Sequence, residues 1–161
     1  FSAKNKYLFF AEKARQENHS EVAELFEKMA QNEGMHGKLL YHYLKGVGGT
    51  AENLREAVDG EYGEWSRMYP EFSRIAREEG FGRIADAFAA IATIEGTHAQ
   101  RFTRFADALE SGELFSIRGE TAWLCLNCGH VHFGPEAPKV CPVCSHDQGY
   151  MIRADLKPFV C

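Results

Sequence analysis

The sequence predicts a mainly α chain: a four-helix bundle over residues 1–115, followed over 116–161 by a small metal-bound β/loop module. Three observations carry this reading. Apolar residues recur every three or four positions through four segments of the first 110 residues. All five cysteines fall after residue 124 and four of the five prolines after residue 134, whereas the first 115 residues hold no Cys and one Pro. Between these regions lies a short polar linker, SGELFSIRGETA, at 111–122. The 161 residues are 45% hydrophobic and 25% charged, a globular rather than a disordered composition. The net charge of −5 argues against a general nucleic-acid binder. The sequence shows no apolar run of about 18 residues, and FSAKNKYLFF lacks a signal-peptide hydrophobic region. No membrane partner and a cytoplasmic setting are therefore expected.

The first helix runs to about Glu17 and stops at Asn18-His19-Ser20, where Ser20 is placed to cap the next helix. The second covers about 20–45 and ends at Gly46-Val47-Gly48-Gly49. The third follows Thr50, a candidate N-cap, and extends to Glu79. Gly60, Gly63 and Pro70 interrupt it. Pro70 has no N–H to donate four residues back, which predicts a kink or bulge. Gly80 ends it, and the fourth helix covers 82–110.

A gapless shift of 62 residues superimposes the two halves. Residues 1–40 and 63–102 share eleven identities, among them Tyr7/Tyr69, Phe10/Phe72, Ala14/Ala76, Ala23/Ala85, Phe26/Phe88, Glu33/Glu95, Gly34/Gly96 and His36/His98. Average residue frequencies would give about two or three. Two helical hairpins of one origin, packed with pseudo-twofold symmetry, bring equivalent side chains together at the centre.

Polar residues interrupt the apolar stripes. The second helix carries Val22, Phe26, Met29, Glu33, His36 and Leu40 on one face. The fourth repeats this with Ile84, Phe88, Ile91, Glu95, His98, Phe102 and Phe105. The third gives Leu54, Val58, Glu61, Trp65, Met68 and Phe72, with Glu64 one turn from Glu61. Four glutamates and two histidines thus stand where a bundle buries its core. Uncompensated buried carboxylates are costly and repel one another, and cations resolve both problems. Two Glu-x-x-His motifs with further glutamates form the donor pattern of a two-metal, di-iron or di-manganese, bundle site.

Cys125-Leu-Asn-Cys128 and Cys141-Pro-Val-Cys144 are two knuckles able to present four thiolates to one tetrahedral metal. The spacing alone admits zinc or iron. Trp123 and Phe133 are expected to pack this module, which is too small to build much core without its metal. His130, His132 and His146 are expected in exposed loops, and Cys161 as a free terminal thiol.

At these residues the chain resembles the rubrerythrins. The matching pieces are NKYLFFAEKA, Glu33-Gly-Met-His36, Gly60-Glu61-Tyr-Gly-Glu64 followed by Met68-Tyr69-Pro70, Glu95-Gly-Thr-His98 and the two CxxC knuckles. The resemblance implies a ferritin-like di-iron bundle with a C-terminal rubredoxin-like domain. It assigns Glu33 and Glu95 as bridges between two oxo/carboxylate-bridged irons, His36 and His98 as terminal ligands, and Glu61 and Glu64 as completing the shells. It makes Glu64 and His36 alternative ligands as the redox state changes, with Ser2 as the repeat mate of Glu64. Tyr7 and Tyr69 would hydrogen-bond the site carboxylates. The family's first helix carries one further ligating Glu, which this register puts immediately before Phe1; residues 1–11 contain no Glu. Cys125, Cys128, Cys141 and Cys144 would hold a mononuclear Fe(Cys)4 centre, with Gly129 and Pro142 matching a rubredoxin and Ser145 standing where Gly is usual. The implied activity is reduction of hydrogen peroxide to water by a homodimer. Electrons would come from an NAD(P)H-dependent reductase, or from a rubredoxin or ferredoxin. The rival readings are a ferroxidase or iron-handling protein using O2, and a non-enzymatic electron carrier.

Overall fold

The computed structural model describes residues 2–153; the expectation for Cys161 lies outside them. The chain falls into two compact units, Phe1–Gly48 and Gly49–Cys161. The first is a helical hairpin of α1 (Ser2–Gln16) and α2 (Ser20–Leu44). Its turn is a Schellman motif: the His19 N–H donates to Ala14 O at 2.8 Å and the Asn18 N–H to Arg15 O at 3.0 Å. Asn18 takes the left-handed conformation, φ 63°, which Asn tolerates better than most residues. Small residues set the close approach of the helices, with Ala11, Ala14, Ala23 and Ala30 buried. Tyr7, Phe10 and Phe26 pack as a triad with centroids 5.5–6.4 Å apart.

The second unit begins with the repeat of that hairpin. The third predicted helix resolves into α3 (Thr50–Gly63), a π-helical turn at Glu64–Met68, and α4 (Tyr69–Glu78). The bulge expected at Pro70 is this turn: the Tyr69 N–H reaches back five residues to Glu64 O. Helix α5 spans Gly82–Glu110. The turn between α4 and α5 repeats the first one, with the Phe81 N–H on Ala76 O at 2.8 Å and the Gly80 N–H on Arg77 O at 3.1 Å, Gly80 standing at φ 87°. The triad Tyr69, Phe72 and Phe88 repeats the first one, with centroids 5.5–6.2 Å apart. Each residue that builds these features is offset from its mate by the same 62 positions.

The helix starts differ from expectation. Ser20 is the first helical residue of α2, behind an N-cap at His19 that makes no side-chain cap bond. Thr50 likewise lies inside α3; the N-cap is Gly49, whose N–H donates to the Glu52 carboxylate at 2.8 Å. A Glu reaching back from the first turn satisfies that donor without a hydroxyl.

After α5, β1 (Ser116–Cys125) pairs antiparallel with both β2 (Val131–Glu136) and β3 (Met151–Arg153), in the order β2-β1-β3. The module's core is Trp123, Cys125, Ala137, Cys141 and Met151. Trp123 is fully buried, and its indole N–H donates to Gly134 O at 3.0 Å. Phe133 does not join it. At 71% exposure it lies on the outer face of β2, because strand alternation turns its neighbour Gly134 inward. His130, His132 and His146 are half-buried rather than exposed. His146 meets Tyr150 edge-on at 4.5 Å, and its Nδ1 lies 3.2 Å from Cys144 O.

Candidate metal centres

Helices α3 and α5 bring Glu61, Glu95 and His98 together, with one ligand atom of each within 4.8 Å of the others. His98 Nδ1 lies 2.7 Å from Glu95 Oε2 and 3.4 Å from Glu61 Oε2. The short distance follows from local geometry, since residues three apart in a helix stack on one face. Burial raises the Glu61 carboxyl above its usual range, a hydrogen bond shared with Glu95 and the Glu95 charge add to this, and His98 opposes it. Two carboxylates competing for one proton beside an imidazole are a donor set suited to a cation, which would replace the proton and draw both oxygens in. The residues therefore fit the iron the pattern calls for.

Glu64 opens the π turn and is half-buried. Tyr69, five residues on, is raised in pKa first by burial and then by the charges of Glu64, Glu95 and Glu61. Its hydroxyl thus lies within electrostatic reach of three site carboxylates. Its mate Tyr7 sits in the aromatic triad of the first unit. Within that unit, Glu33 Oε2 lies 3.7 Å from His36 Nδ1, and the two side chains are 38% and 68% exposed. The stripe positions expected to be core are open within each hairpin, because two helices cover only one side of each other.

One close contact at this site escapes a reading of periodicity. Gly96, between the two α5 ligands, is buried under the Trp65 indole: a Cβ built there would meet Trp65 Cδ1 and Nε1 at 3.1 Å. The signal available was the Gly inside Glu-Gly-x-His, a costly residue in mid-helix.

The second centre is a sulfur cage. Cys125, Cys128, Cys141 and Cys144 place their Sγ atoms within 4.8 Å of one another, with Cys125–Cys144 and Cys128–Cys141 each at 3.7 Å. Four sulfurs about 2.3 Å from a tetrahedral metal stand about 3.8 Å apart, so the cage has the size of one ion. The knuckles are copies of each other. The Cys125 N–H donates to His130 O and the Cys141 N–H to His146 O, both at 2.8 Å. The Gly129 N–H donates to Cys125 O and the Ser145 N–H to Cys141 O, both at 2.9 Å. Gly129 (φ 77°) and Ser145 (φ 60°) hold the same left-handed position, so Ser145 adopts what glycine does freely. The backbone N–H of His146, together with donation from the Asn127 amide, brings the Cys144 thiol down to about 6. Cys128 has the backbone donor at His130 acting to lower it, but burial and the neighbouring thiols push it up to about 12. Protons thus partition unevenly over a coupled four-thiol set. Asn127, inside the first knuckle, is a donor to Cys144 that spacing alone does not reveal.

Residues 1–106 and 52–122 match the Rubrerythrin family, and residues 123–152 match its rubredoxin-like domain. The chain is 39% identical to a rubrerythrin of Porphyromonas gingivalis over 92% of this chain and 80% of the relative. It is 37% identical to a rubrerythrin of Nitratidesulfovibrio vulgaris over 92% and 84%. A fully reduced, all-ferrous nigerythrin structure aligns at 27% identity and a TM-score of 0.40, over 94% of this chain and 79% of that one. With a ferritin-like helical part carrying the carboxylate/histidine donors of a di-iron centre and a rubredoxin-like domain carrying an Fe(Cys)4 cage, the chain belongs to the rubrerythrin family.

Proposed function

We propose that the protein is a non-haem di-iron peroxidase that reduces hydrogen peroxide to water, H2O2 + 2 e⁻ + 2 H⁺ → 2 H2O, in defence against oxidative stress. The observation that carries this is the presence in one chain of two donor sets of opposite chemistry: oxygen and nitrogen around Glu61, Glu95 and His98, and four sulfurs in the C-terminal module. When bound, a pair of irons supplies both electrons that O–O cleavage requires, and a sulfur-held iron returns them singly.

The chain's own residues do the rest. Glu33, His36, Glu61, Glu64, Glu95 and His98 would hold the pair, with Glu33 and Glu95 as the carboxylates shared by both irons, His36 and His98 as the imidazole ligands, and Glu61 and Glu64 as the remaining carboxylates. Glu64 and His36 would be alternative ligands to one iron, a hard oxygen or a neutral imidazole as its charge changes. Tyr69, and by symmetry Tyr7, orients the site carboxylates by donating to them. The Asn127 amide and the His146 N–H stabilise thiolate at Cys144, which tunes the sulfur centre toward the reduced state. Electrons enter there from an NAD(P)H-dependent reductase or a small iron–sulfur donor. The working form is a cytoplasmic homodimer.

The test is iron content followed by anaerobic single-turnover reoxidation of the fully reduced protein. Three irons per chain and oxidation by peroxide much faster than by O2 are expected. Faster oxidation by O2 would make this an iron-handling protein, and one iron per chain, retained by the cysteines, would make it an electron carrier. A Glu33→Ala/Glu95→Ala variant that kept peroxide turnover would refute the ligand assignment.

A further inference from the structure

We propose that Tyr62 and Trp65 form an electron relay beside the Glu61, Glu95 and His98 cluster. The relay supplies the second electron of peroxide cleavage when the centre holds only one, and it ends the resulting oxidation at an exposed tyrosine. The proposal rests on the reading above that this centre cleaves hydrogen peroxide. It is carried by two readily oxidised rings set in series against the ligand helix, all within the second unit.

The relay starts at the ligands. Gly96 is buried on α5 between Glu95 and His98. A Cβ built on it would stand 3.1 Å from Trp65 Cδ1, 3.1 Å from Nε1 and 3.2 Å from Cδ2. A point nearly equidistant from three atoms of a five-membered ring lies over the centre of that ring, so the indole turns its face to Gly96. Gly96 is bonded to Glu95, and Trp65 is bonded to Glu64. The indole is thus coupled to the site carboxylates along its own chain and across a packed contact.

The relay continues outward. Tyr62 stands three residues before Trp65, on the same face of the helix. Its ring meets the indole edge-on, with centroids 5.5 Å apart and planes at 84°. Exposure rises along the series, from buried Gly96 to Trp65 at 42% and Tyr62 at 55%. Tryptophan and tyrosine lose one electron far more readily than phenylalanine. Tyrosine loses its hydroxyl proton with that electron, and at an exposed phenol water can take the proton. Tyr69 lacks such an exit, because its ring packs on Phe72 and Phe88. In the 62-residue repeat the mate of Trp65 is Ala3, and Gly34, the mate of Gly96, meets the end of the Lys4 side chain. The indole over Gly96 is therefore an addition to the second hairpin and not part of the repeated scaffold.

The electron supply creates the need. A sulfur-held iron passes electrons singly, so the centre passes through a state that holds one. Peroxide cleaved with one electron releases a hydroxyl radical, which attacks nearby side chains. With the relay, Trp65 gives the missing electron and recovers it from Tyr62: H2O2 + Fe(II) + Tyr62–OH + H⁺ → 2 H2O + Fe(III) + Tyr62–O•. A soluble thiol then restores the phenol by giving up its hydrogen atom, and two thiyl radicals couple to a disulfide.

The test uses the iron-loaded, full-length protein, reduced without oxygen to one electron per chain. Half-reduced centres are counted by their own paramagnetic signal, and the sample is then mixed with hydrogen peroxide and frozen rapidly. A tyrosyl radical in proportion to those centres is expected, absent from the fully reduced protein and shortened in lifetime by added glutathione. In Tyr62→Phe a tryptophanyl signal should replace it. In Trp65→Phe both signals should fall, and spin-trapped hydroxyl radical should rise severalfold per half-reduced centre. A tyrosyl signal that survives Tyr62→Phe, or equal trapping in wild type and Trp65→Phe, would overturn the relay. Wild-type protein grown on ring-deuterated tyrosine needs no substitution. Its radical signal should narrow, and an unchanged line shape would overturn the proposal. If peroxide oxidises the fully reduced protein but the half-reduced protein gives no radical, the relay alone falls. If peroxide leaves the fully reduced protein unoxidised, the peroxidase reading falls and the relay with it.

Discussion

Gly34 and Gly96 occupy equivalent positions in the repeat, each between the Glu and the His of a Glu-x-x-His motif, yet their surroundings predict opposite responses to alanine. Replacing a mid-helix Gly by Ala gains about 1 kcal/mol from backbone entropy. At Gly34 the new methyl would meet only the flexible end of Lys4, with Cδ at 3.5 Å and Cε at 3.7 Å, an ordinary contact. Gly34→Ala should therefore stabilise by about that amount, or about 2–4 °C in Tm for a chain of this size. At Gly96 the methyl would press on the Trp65 indole at 3.1–3.2 Å, and overpacking of this kind costs about 1–3 kcal/mol. After the same helical gain, Gly96→Ala should be neutral to about 2 kcal/mol destabilising. Trp65 comes directly after Glu64 in the π turn, so its displacement should also disturb iron loading of the bundle. The assay is a pair of thermal melts with iron counted in each variant. Equal Tm shifts in the two variants, with unchanged iron, would refute the close-packing argument, because both methyls would then be equally welcome.

The cysteine module carries three further predictions. Ser145→Gly should raise the stability of the iron-loaded protein by about 0.5–1 kcal/mol, the relief of a left-handed non-glycine residue less the entropy a glycine adds to the unfolded chain; a fall in midpoint on chemical denaturation would contradict the reading of its φ of 60°. Stripping the sulfur-bound metal should unfold the module while leaving the helices intact, because two of its five core residues are ligands. The check is a red shift of Trp123 emission in a Trp65→Phe background with helical ellipticity preserved. Asn127→Ala removes a donor to Cys144 and should shift the reduction potential of the sulfur centre downward, read by titrating its ferric-thiolate absorption; an unchanged or higher potential would remove Asn127 from that role.

The donor cluster of Glu61, Glu95 and His98 was legible in the sequence because its members violate the pattern around them. A charged residue on an apolar stripe stands out, and Glu33, His36, Glu95 and His98 do so twice at one spacing. The cysteine cage was legible because a metal fixes its ligand spacing locally. Pro70 announced a bulge, since a missing N–H is written in the residue itself, but not the length of the π turn, which depends on where the ladder recovers at Tyr69. The N-cap of α3 was misplaced by one residue because Glu52 reaches the Gly49 N–H as well as a hydroxyl could. Phe133 was misread because its inward neighbour is a glycine, and only the register of β2 on β1 shows which of the two faces Trp123. The half-burial of His146 comes from its stacking on Tyr150, a contact between loop segments that no periodicity encodes.

The features the repeat keeps and those it abandons separate scaffold from chemistry. The Schellman turns, the aromatic triads and the buried alanine pairs Ala14/Ala76, Ala23/Ala85 and Ala30/Ala92 are matched, and all of them lie where the two helices of a hairpin meet. One departure changes the backbone itself. Where the second unit has Glu64, Trp65 and the π turn leading into Pro70, the first has Ser2, Ala3 and a regular helix leading into Leu8. A π turn carries one more residue than an α-turn over the same rise, and it rotates α4 by about 100° relative to α3. This lets the chain bring Glu61 to Glu95 and His98 while still delivering Tyr69 and Phe72 into the triad that the repeat demands. The turn follows directly on Glu61, so this departure sets a further carboxylate, Glu64, within electrostatic reach of the same Tyr69 that feels Glu61 and Glu95.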